Sequence, residues 1–201
     1  MGQVLVLGTR NAKKRQEIEE ILGDLPLTLQ DLSHYPAAPA VVEDGTTFEA
    51  NARKKATETA RAVGQWVLAE DSGLVVPALN GRPGVYSARY AGKQGDDEAN
   101  NNRLLAELAP YGPERRDAYY VCVAALSDPE GNVRTVTEGR CHGRIITERR
   151  GTGGFGYDPL FLVPEYHQTF GELSARVKHA LSHRARALAH LRPALRELLG
   201  Y

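Results

Sequence analysis

The sequence predicts an α/β fold, and three observations carry the prediction. A strand-length apolar run at residues 3–7 gives way to a polar loop and then to a helical pattern. A second helical pattern over residues 48–63 leads into the apolar run Trp66, Val67 and Leu68. Two β-rich segments, residues 119–126 and 133–136, flank the turn formed by Asp128, Pro129, Glu130, Gly131 and Asn132, which predicts an antiparallel hairpin.

The remaining elements follow in chain order. Residues 3–7 read as a buried parallel strand, broken by Gly8, Thr9, Arg10 and Asn11. A helix starts near Ala12, carries Ile18, Ile21 and Leu22, and stops at Gly23. Its N-terminus faces the polar loop, where backbone N–H groups attract anions. Lys14 lies in the first turn and opposes the helix dipole, which a bound phosphate explains better than helix stability does. Leu27, Thr28 and Leu29 predict a short second strand, followed by a loop to Pro39. Thr46 or Thr47 caps the next helix, whose packed face is Phe48, Ala52, Ala56, Ala60 and Val63. Arg53, Lys54 and Lys55 read as a solvated face. Gly64 ends that helix before the strand at Trp66. Residues 86–90 form a polar-aromatic loop, and Asp96 or Asp97 caps a helix through Leu104 and Leu108. The strand at 133–136 continues irregularly to Ile146. Residues 174–196 are mostly helical, and Pro193 is expected to kink or restart that helix.

Composition excludes several classes. The chain has 201 residues, 42% hydrophobic content, and Lys+Arg and Asp+Glu of 25 each, so its formal net charge is zero. That argues against a protein whose main work is gripping nucleic acid, while leaving room for a local phosphate pocket. The two cysteines, Cys122 and Cys141, form no ligand cluster and suit a reducing compartment. The N-terminal apolar run lacks a basic leader and is too short to cross a bilayer. A cytoplasmic protein with no membrane partner is expected. No repeat or linker is evident, so a single domain over 1–201 is expected.

Four clusters of residues need a chemical account. The first is Thr9, Asn11 and Lys14. The second is the acids Glu43, Glu70 and Asp71, of which Glu70 and Asp71 are placed at the carboxyl end of a strand, where α/β folds put ligands. Adjacent carboxylates repel and need a cation, hydrogen bonds or solvent; Mg²⁺ suits hard oxygen ligands. The third is the glycine-rich stretch 151–159, which holds Phe155 and Asp158. The fourth is Lys178, His183 and Arg184 near the last helix. Each alone has a plain structural account: an acidic turn, a hairpin, a solvated lysine, a packed histidine. The first loop is not a P-loop, no strand leads into a G-x-G-x-x-G, and there is no zinc spacing or nucleophile elbow.

Taken together, five ordered blocks resemble the inosine triphosphate pyrophosphatase family, also called Ham1-like. They are Thr9-Arg10-Asn11-Ala12-Lys13-Lys14 with Glu17; Ala69-Glu70-Asp71-Ser72-Gly73-Leu74; Pro83-Gly84-Val85-Tyr86-Ser87-Ala88-Arg89-Tyr90; the run from Gly151 through Phe155, Gly156, Tyr157 and Asp158 to Pro159; and Ser182-His183-Arg184. The resemblance covers almost the whole chain. It implies an elongated α/β fold with a long mixed sheet, helices at its flanks, and two lobes around a central cleft. It implies hydrolysis of ITP, dITP and XTP to the monophosphate and pyrophosphate, with Mg²⁺, by a homodimer. It also implies roles. Thr9, Arg10, Asn11, Ala12, Lys13 and Lys14 hold phosphates. Asp71 is metal ligand and general base, with Glu43 and Glu70 as further metal acids. Ser72, Phe155, Gly156, Tyr157, Asp158, Lys178, His183 and Arg184 contact substrate. Two departures stand out. Arg10 occupies a place usually held by a small residue, and Glu70 one where many bacterial members carry aspartate. Two enzyme-free readings, a nucleotide sensor and an RNA module, run against the retained acids with Lys14 and against the neutral charge. A pyrophosphatase for modified pyrimidines is the remaining enzyme alternative.

Overall fold

A computed structural model describes residues 2–201. Strands and helices alternate as far as β4, after which three more strands and then two helices follow: β1 (Val4–Leu7), α1 (Ala12–Leu22), β2 (Thr28–Asp31), α2 (Phe48–Val63), β3 (Trp66–Val75), α3 (Asp97–Leu108), β4 (Asp117–Ser127), β5 (Val133–Ile145), β6 (Phe161–Val163), β7 (Gln168–Thr169), α4 (Ala175–Leu181) and α5 (His183–Leu199). The seven strands form one mixed sheet in the order β2-β1-β3-β4-β5-β6-β7. β1 pairs in parallel with β2 and β3, and α1 and α2 supply the crossovers that parallel neighbours require. The β5–β6 and β6–β7 pairs are antiparallel. The mixed, helix-flanked α/β sheet expected from the sequence is therefore present.

The chain divides into two compact units. One comprises the chain up to Asp71 with Cys122–Gly139 and His183–Tyr201; the other comprises Ser72–Val121 and Arg140–Ser182. In the first, Leu5, Leu7, Ile18, Leu22 and Leu68 pack with Leu188, Leu191 and Leu195 of α5. In the second, Leu74, Leu104, Leu108, Tyr120, Phe161 and Phe170 form the core. The Tyr120 and Phe161 ring centroids lie 4.7 Å apart, and those of Phe161 and Phe170 4.9 Å apart. Burying each such side chain stabilises the fold by roughly 1.5–3 kcal/mol. A Cβ on Gly139 would land on the carbonyl of His183 and the amide nitrogen of Ala187. β5 therefore approaches the start of α5 closely only because residue 139 has no side chain.

Several sequence expectations are corrected. β3 does not stop at Leu68 but runs to Val75, so Glu70 and Asp71 lie within a strand rather than at its end. β1 pairs only as far as Leu68, where the Gly8 amide donates to the Leu68 carbonyl at 2.8 Å and the chain turns away. Glu70 and Asp71 are thus inside β3 yet beyond the end of β1. β5 is one continuous strand rather than an irregular one. The break in the C-terminal helical region falls at Ser182, which is extended (φ −66, ψ 157), and not at Pro193. Leu188 and Leu191 before the proline and Leu195 and Leu199 after it are all buried, and this packing holds the helix through the missing N–H. Finally, Lys55 is not on a solvated face; it is buried.

Candidate functional site

In the first unit the site begins with the phase of α2. Thr47 caps the helix, its side chain accepting the Ala50 amide at 3.1 Å. Ala52, Ala56 and Ala60 then pack inward, and Asn51, Lys55 and Thr59, one position earlier in each turn, are buried beside them. The Lys55 ammonium lies 2.8 Å from Glu43 Oε2 and 3.5 Å from Asp71 Oδ1. Asn51 donates its amide to Asp71 Oδ2 at 3.0 Å and accepts the Gly45 N–H at 2.8 Å. One helix therefore fixes both Asp71 and the segment that carries Glu43. Burial pushes the Asp71 carboxyl above its ordinary value, against the pull of Lys55, Lys14 and Asn51. Burial alone would lower the Lys55 ammonium, but Asp71, Glu43 and Glu70 outweigh it and hold it above the usual lysine range.

Glu70 takes different partners from Asp71, as successive residues of a strand face opposite sides. This alternation, with separate cations, resolves the repulsion expected of adjacent carboxylates. Lys14 Nζ lies 3.1 Å from Glu70 Oε1 and Arg184 Nη2 3.2 Å from the same oxygen. Arg184 also grips Glu17, and its guanidinium is 1% exposed. Burial would raise Glu70, but Lys14 and Arg184 hold it well below the usual carboxylate range. Burial drives the Cys122 thiol, 3.5 Å from Glu70 Oε2, well above its ordinary pKa, with the Glu70 charge adding to the rise. The thiol stays protonated.

The 9–14 loop lies at the end of β1. Asn11 is the N-cap of α1, and its Oδ1 accepts the N–H groups of Lys13 at 3.0 Å and Lys14 at 3.1 Å. Two of the amides expected to meet an anion are thus already bonded to Asn11. Thr9 Oγ1 accepts the Asn11 N–H at 3.2 Å. Arg10 does not simply point to solvent: its Nη2 donates to the Ala38 carbonyl at 2.7 Å, clipping the 35–40 loop that leads to Glu43. Lys13 is exposed. A pocket of about 200 Å³ opens here, lined by Thr9, Arg10, Asn11 and Ala12 with Arg15, Asp31, Leu32 and Ser33.

The second unit holds the glycine-rich loop. Asp158 organises it: Oδ2 accepts the Phe155 N–H at 2.9 Å and the Lys178 ammonium at 2.7 Å, and Oδ1 accepts the Tyr120 hydroxyl at 3.2 Å. The Lys178 ammonium also sits 5.0 Å from the Phe155 ring centroid. Burial, with the nearby Asp158 charge, raises the Tyr120 phenol well above its usual range, so it remains a donor. Tyr157 is buried, and its hydroxyl donates to the Ser87 carbonyl at 2.8 Å. Phe155 and Gly156 are half-buried. Ser72 is half-buried in β3, while His183, the first residue of α5, is buried in the first unit.

The sequence reading passed over Asn51 and Lys55. Their signal was helical phase: positions 51, 55 and 59 keep step with the small-residue stripe at 52, 56 and 60. Tyr120 gave none, since nothing local distinguishes it from an ordinary strand residue.

The sequence model of the Ham1 family matches residues 5–194. The chain is 60% identical to a dITP/XTP pyrophosphatase of Rhodopirellula baltica over 97% of its own length and 94% of that protein's. It is 53% identical to a dITP/XTP pyrophosphatase of Geobacter sulfurreducens, over 94% of each chain. A solved structure of a HAM1 protein from Coxiella burnetii is similar to it with a TM-score of 0.88 at 39% identity, covering 97% of this chain and 99% of that one.

Proposed function

The chain belongs to the Ham1 family, and from that premise we propose how its residues perform the family's reaction. It hydrolyses non-canonical purine nucleoside triphosphates, dITP, XTP and ITP, to the nucleoside monophosphate and pyrophosphate. The observation that carries the assignment is the convergence of Glu43 and Asp71 on the Lys55 ammonium, with Asn51 fixing the second oxygen of Asp71.

The donor set fits Mg²⁺. Glu43 and Asp71 bring two hard carboxylates together around the Lys55 ammonium, at 2.8 and 3.5 Å from it. That suits an ion which keeps waters and takes phosphate oxygens as its other ligands. Bound Mg²⁺ would supply Lewis-acid neutralisation of the polyphosphate. Asp71 accepts the proton of the attacking water. Lys55 keeps the two acids from repelling each other. Lys14 and the 9–12 loop take phosphate oxygens. Glu70, held ionised by Lys14 and Arg184, positions Lys14 rather than binding metal. Phe155, backed by Lys178, stacks on the purine, with Gly156, Tyr157 and Asp158 shaping that loop. Ser72 and His183 are assigned to the substrate with them. A 6-keto purine accepts hydrogen bonds where adenine would offer an amino group, and a mismatched polar group is rejected by orders of magnitude. A cytoplasmic homodimer completes the proposal, with neither nucleic acid nor membrane as a partner; among the described residues no helix is long and apolar enough to cross a membrane.

The test is a triphosphate panel with and without Mg²⁺. Pyrophosphate release from dITP and XTP, far above that from ATP or dUTP, is expected, with label from ¹⁸O-water entering the monophosphate. Release of single orthophosphate, or a preference for dUTP, would overturn the assignment.

A further inference from the structure

The Phe155 ring is half-buried beside the Lys178 ammonium, and the backbone on either side of it is tied down as well. On one side the Phe155 N–H is bonded to Asp158. On the other, both backbone groups of Gly156 are held by α3. Its N–H donates to Asp97 Oδ2 at 2.8 Å, and its carbonyl accepts from Asn101 Nδ2 at 2.8 Å. The same Asn101 amide donates to the Asp97 carbonyl at 2.8 Å, tying the two clamps together. Asn101 is 4% exposed, and its Oδ1 is buried without a partner. The residue contributes donors alone. Gly156 itself has φ +61, which glycine adopts readily, and these bonds hold its peptide there. The neighbouring Asn100 holds a second loop from the same helix, accepting the Ala91 N–H at 2.7 Å.

We infer that Asp97 and Asn101 are positioning residues for purine discrimination: they set where Phe155 meets the base without touching substrate. The inference rests on the proposed reading of the 155–158 loop as the base-contacting element. Loss of either clamp frees the peptide next to the stacking ring. The consequence belongs to base recognition and not to phosphate chemistry.

The test compares Asp97→Ala and Asn101→Ala with the conservative Asp97→Asn, which keeps an acceptor for the Gly156 N–H. Each is assayed on dITP, XTP and ATP, with inorganic tripolyphosphate as a base-free competitive inhibitor and thermal melting as a fold check. For the alanine variants KM for XTP rises about tenfold and the XTP-over-ATP ratio of kcat/KM falls by a similar factor. Their kcat stays within about threefold and tripolyphosphate inhibition is unchanged, because the phosphate groups have not moved. Asp97→Asn restores KM to within about twofold of wild type, which also covers an alanine variant that fails to fold. Unaltered KM and discrimination in both alanine variants would overturn the inference, as would parallel weakening of XTP and tripolyphosphate. Wild-type protein that cleaves no purine triphosphate would instead sink the reading on which it rests.

Discussion

Asp71 and Lys55 make the sharpest single-residue predictions. Asp71→Asn keeps the shape and the polar contact with Asn51 but removes the proton acceptor that the proposed mechanism requires. Its kcat is expected to fall about 10²–10⁴-fold, while a non-hydrolysable dITP analogue still binds by calorimetry. Retained turnover would remove Asp71 from the chemistry. Lys55→Met withdraws the cation that Asp71 and Glu43 share. Without it the protonated form of Asp71 is favoured further, so its pKa rises. In the proposed mechanism Asp71 must be ionised to accept a proton, so the acid limb of kcat/KM moves to higher pH, by about one unit. A pH profile at fixed Mg²⁺ checks the shift. Arg10 shows how one side chain resolves only in space. Its residue type gave no hint that its guanidinium would also donate to the Ala38 carbonyl.

Among the elements, β3 explains why the acids stand where they do. The strand continues past the last residue that β1 pairs, so Glu70 and Asp71 keep strand alternation while the edge beside them is released by the turn at Gly8. The glycine-rich loop depends on a comparable local rule. Gly154 has φ +73, and a Cβ there would fall on the Asp158 carboxylate. Gly154→Ala is expected to displace Asp158 from the Phe155 amide and Lys178, destabilising the fold by about 1–3 kcal/mol. KM for dITP should rise with little change in kcat. Melting curves and steady-state kinetics on the same preparation test both halves. The apolar runs, helix caps and turn signals that predicted these elements were readable because they are local. The ends of β3 and β5, and the break at Ser182 rather than Pro193, were not, because sheet neighbours and core packing decide them.

At the scale of the whole molecule, ionised groups bound stability from both sides of neutrality. Asp31, Asp128 and Glu107 all have carboxyl groups held below their ordinary values. For Asp31 the chief cause is the Ser33 hydroxyl, with Arg15 also bonded; for Asp128 it is the Asn132 bonds working against burial, and for Glu107 the Tyr90 and Arg103 bonds working against burial. The unfolded chain binds more protons than the native one in the acid range, so stability is full above about pH 4–5 and falls as pH drops through these carboxyls. The Tyr90 phenol is pushed up to about 12 by burial and by its bond to Glu107. There the native state holds a proton the unfolded chain has lost, so stability falls again as pH rises from about 10 to 12. Denaturant midpoints across pH should trace a plateau with both limbs; a flat acid side would contradict this account of hydrogen-bonded carboxylates.

The sequence by itself determined the alternation of strands and helices, the hairpin at 128–132, the acids, the cation-bearing first loop and the Phe155 loop, because each is written in neighbouring residues or in ordered motifs. The tertiary structure decided which charges meet. Lys55 reads as surface along the chain, and becomes the partner of Glu43 and Asp71 only when α2 turns its 51–55–59 face inward. Glu70 and Asp71 read as one repelling pair, and separate because a strand sends them to different cations. Electrostatic partnership depends on distance in space over a few ångströms, and sequence separation does not encode it.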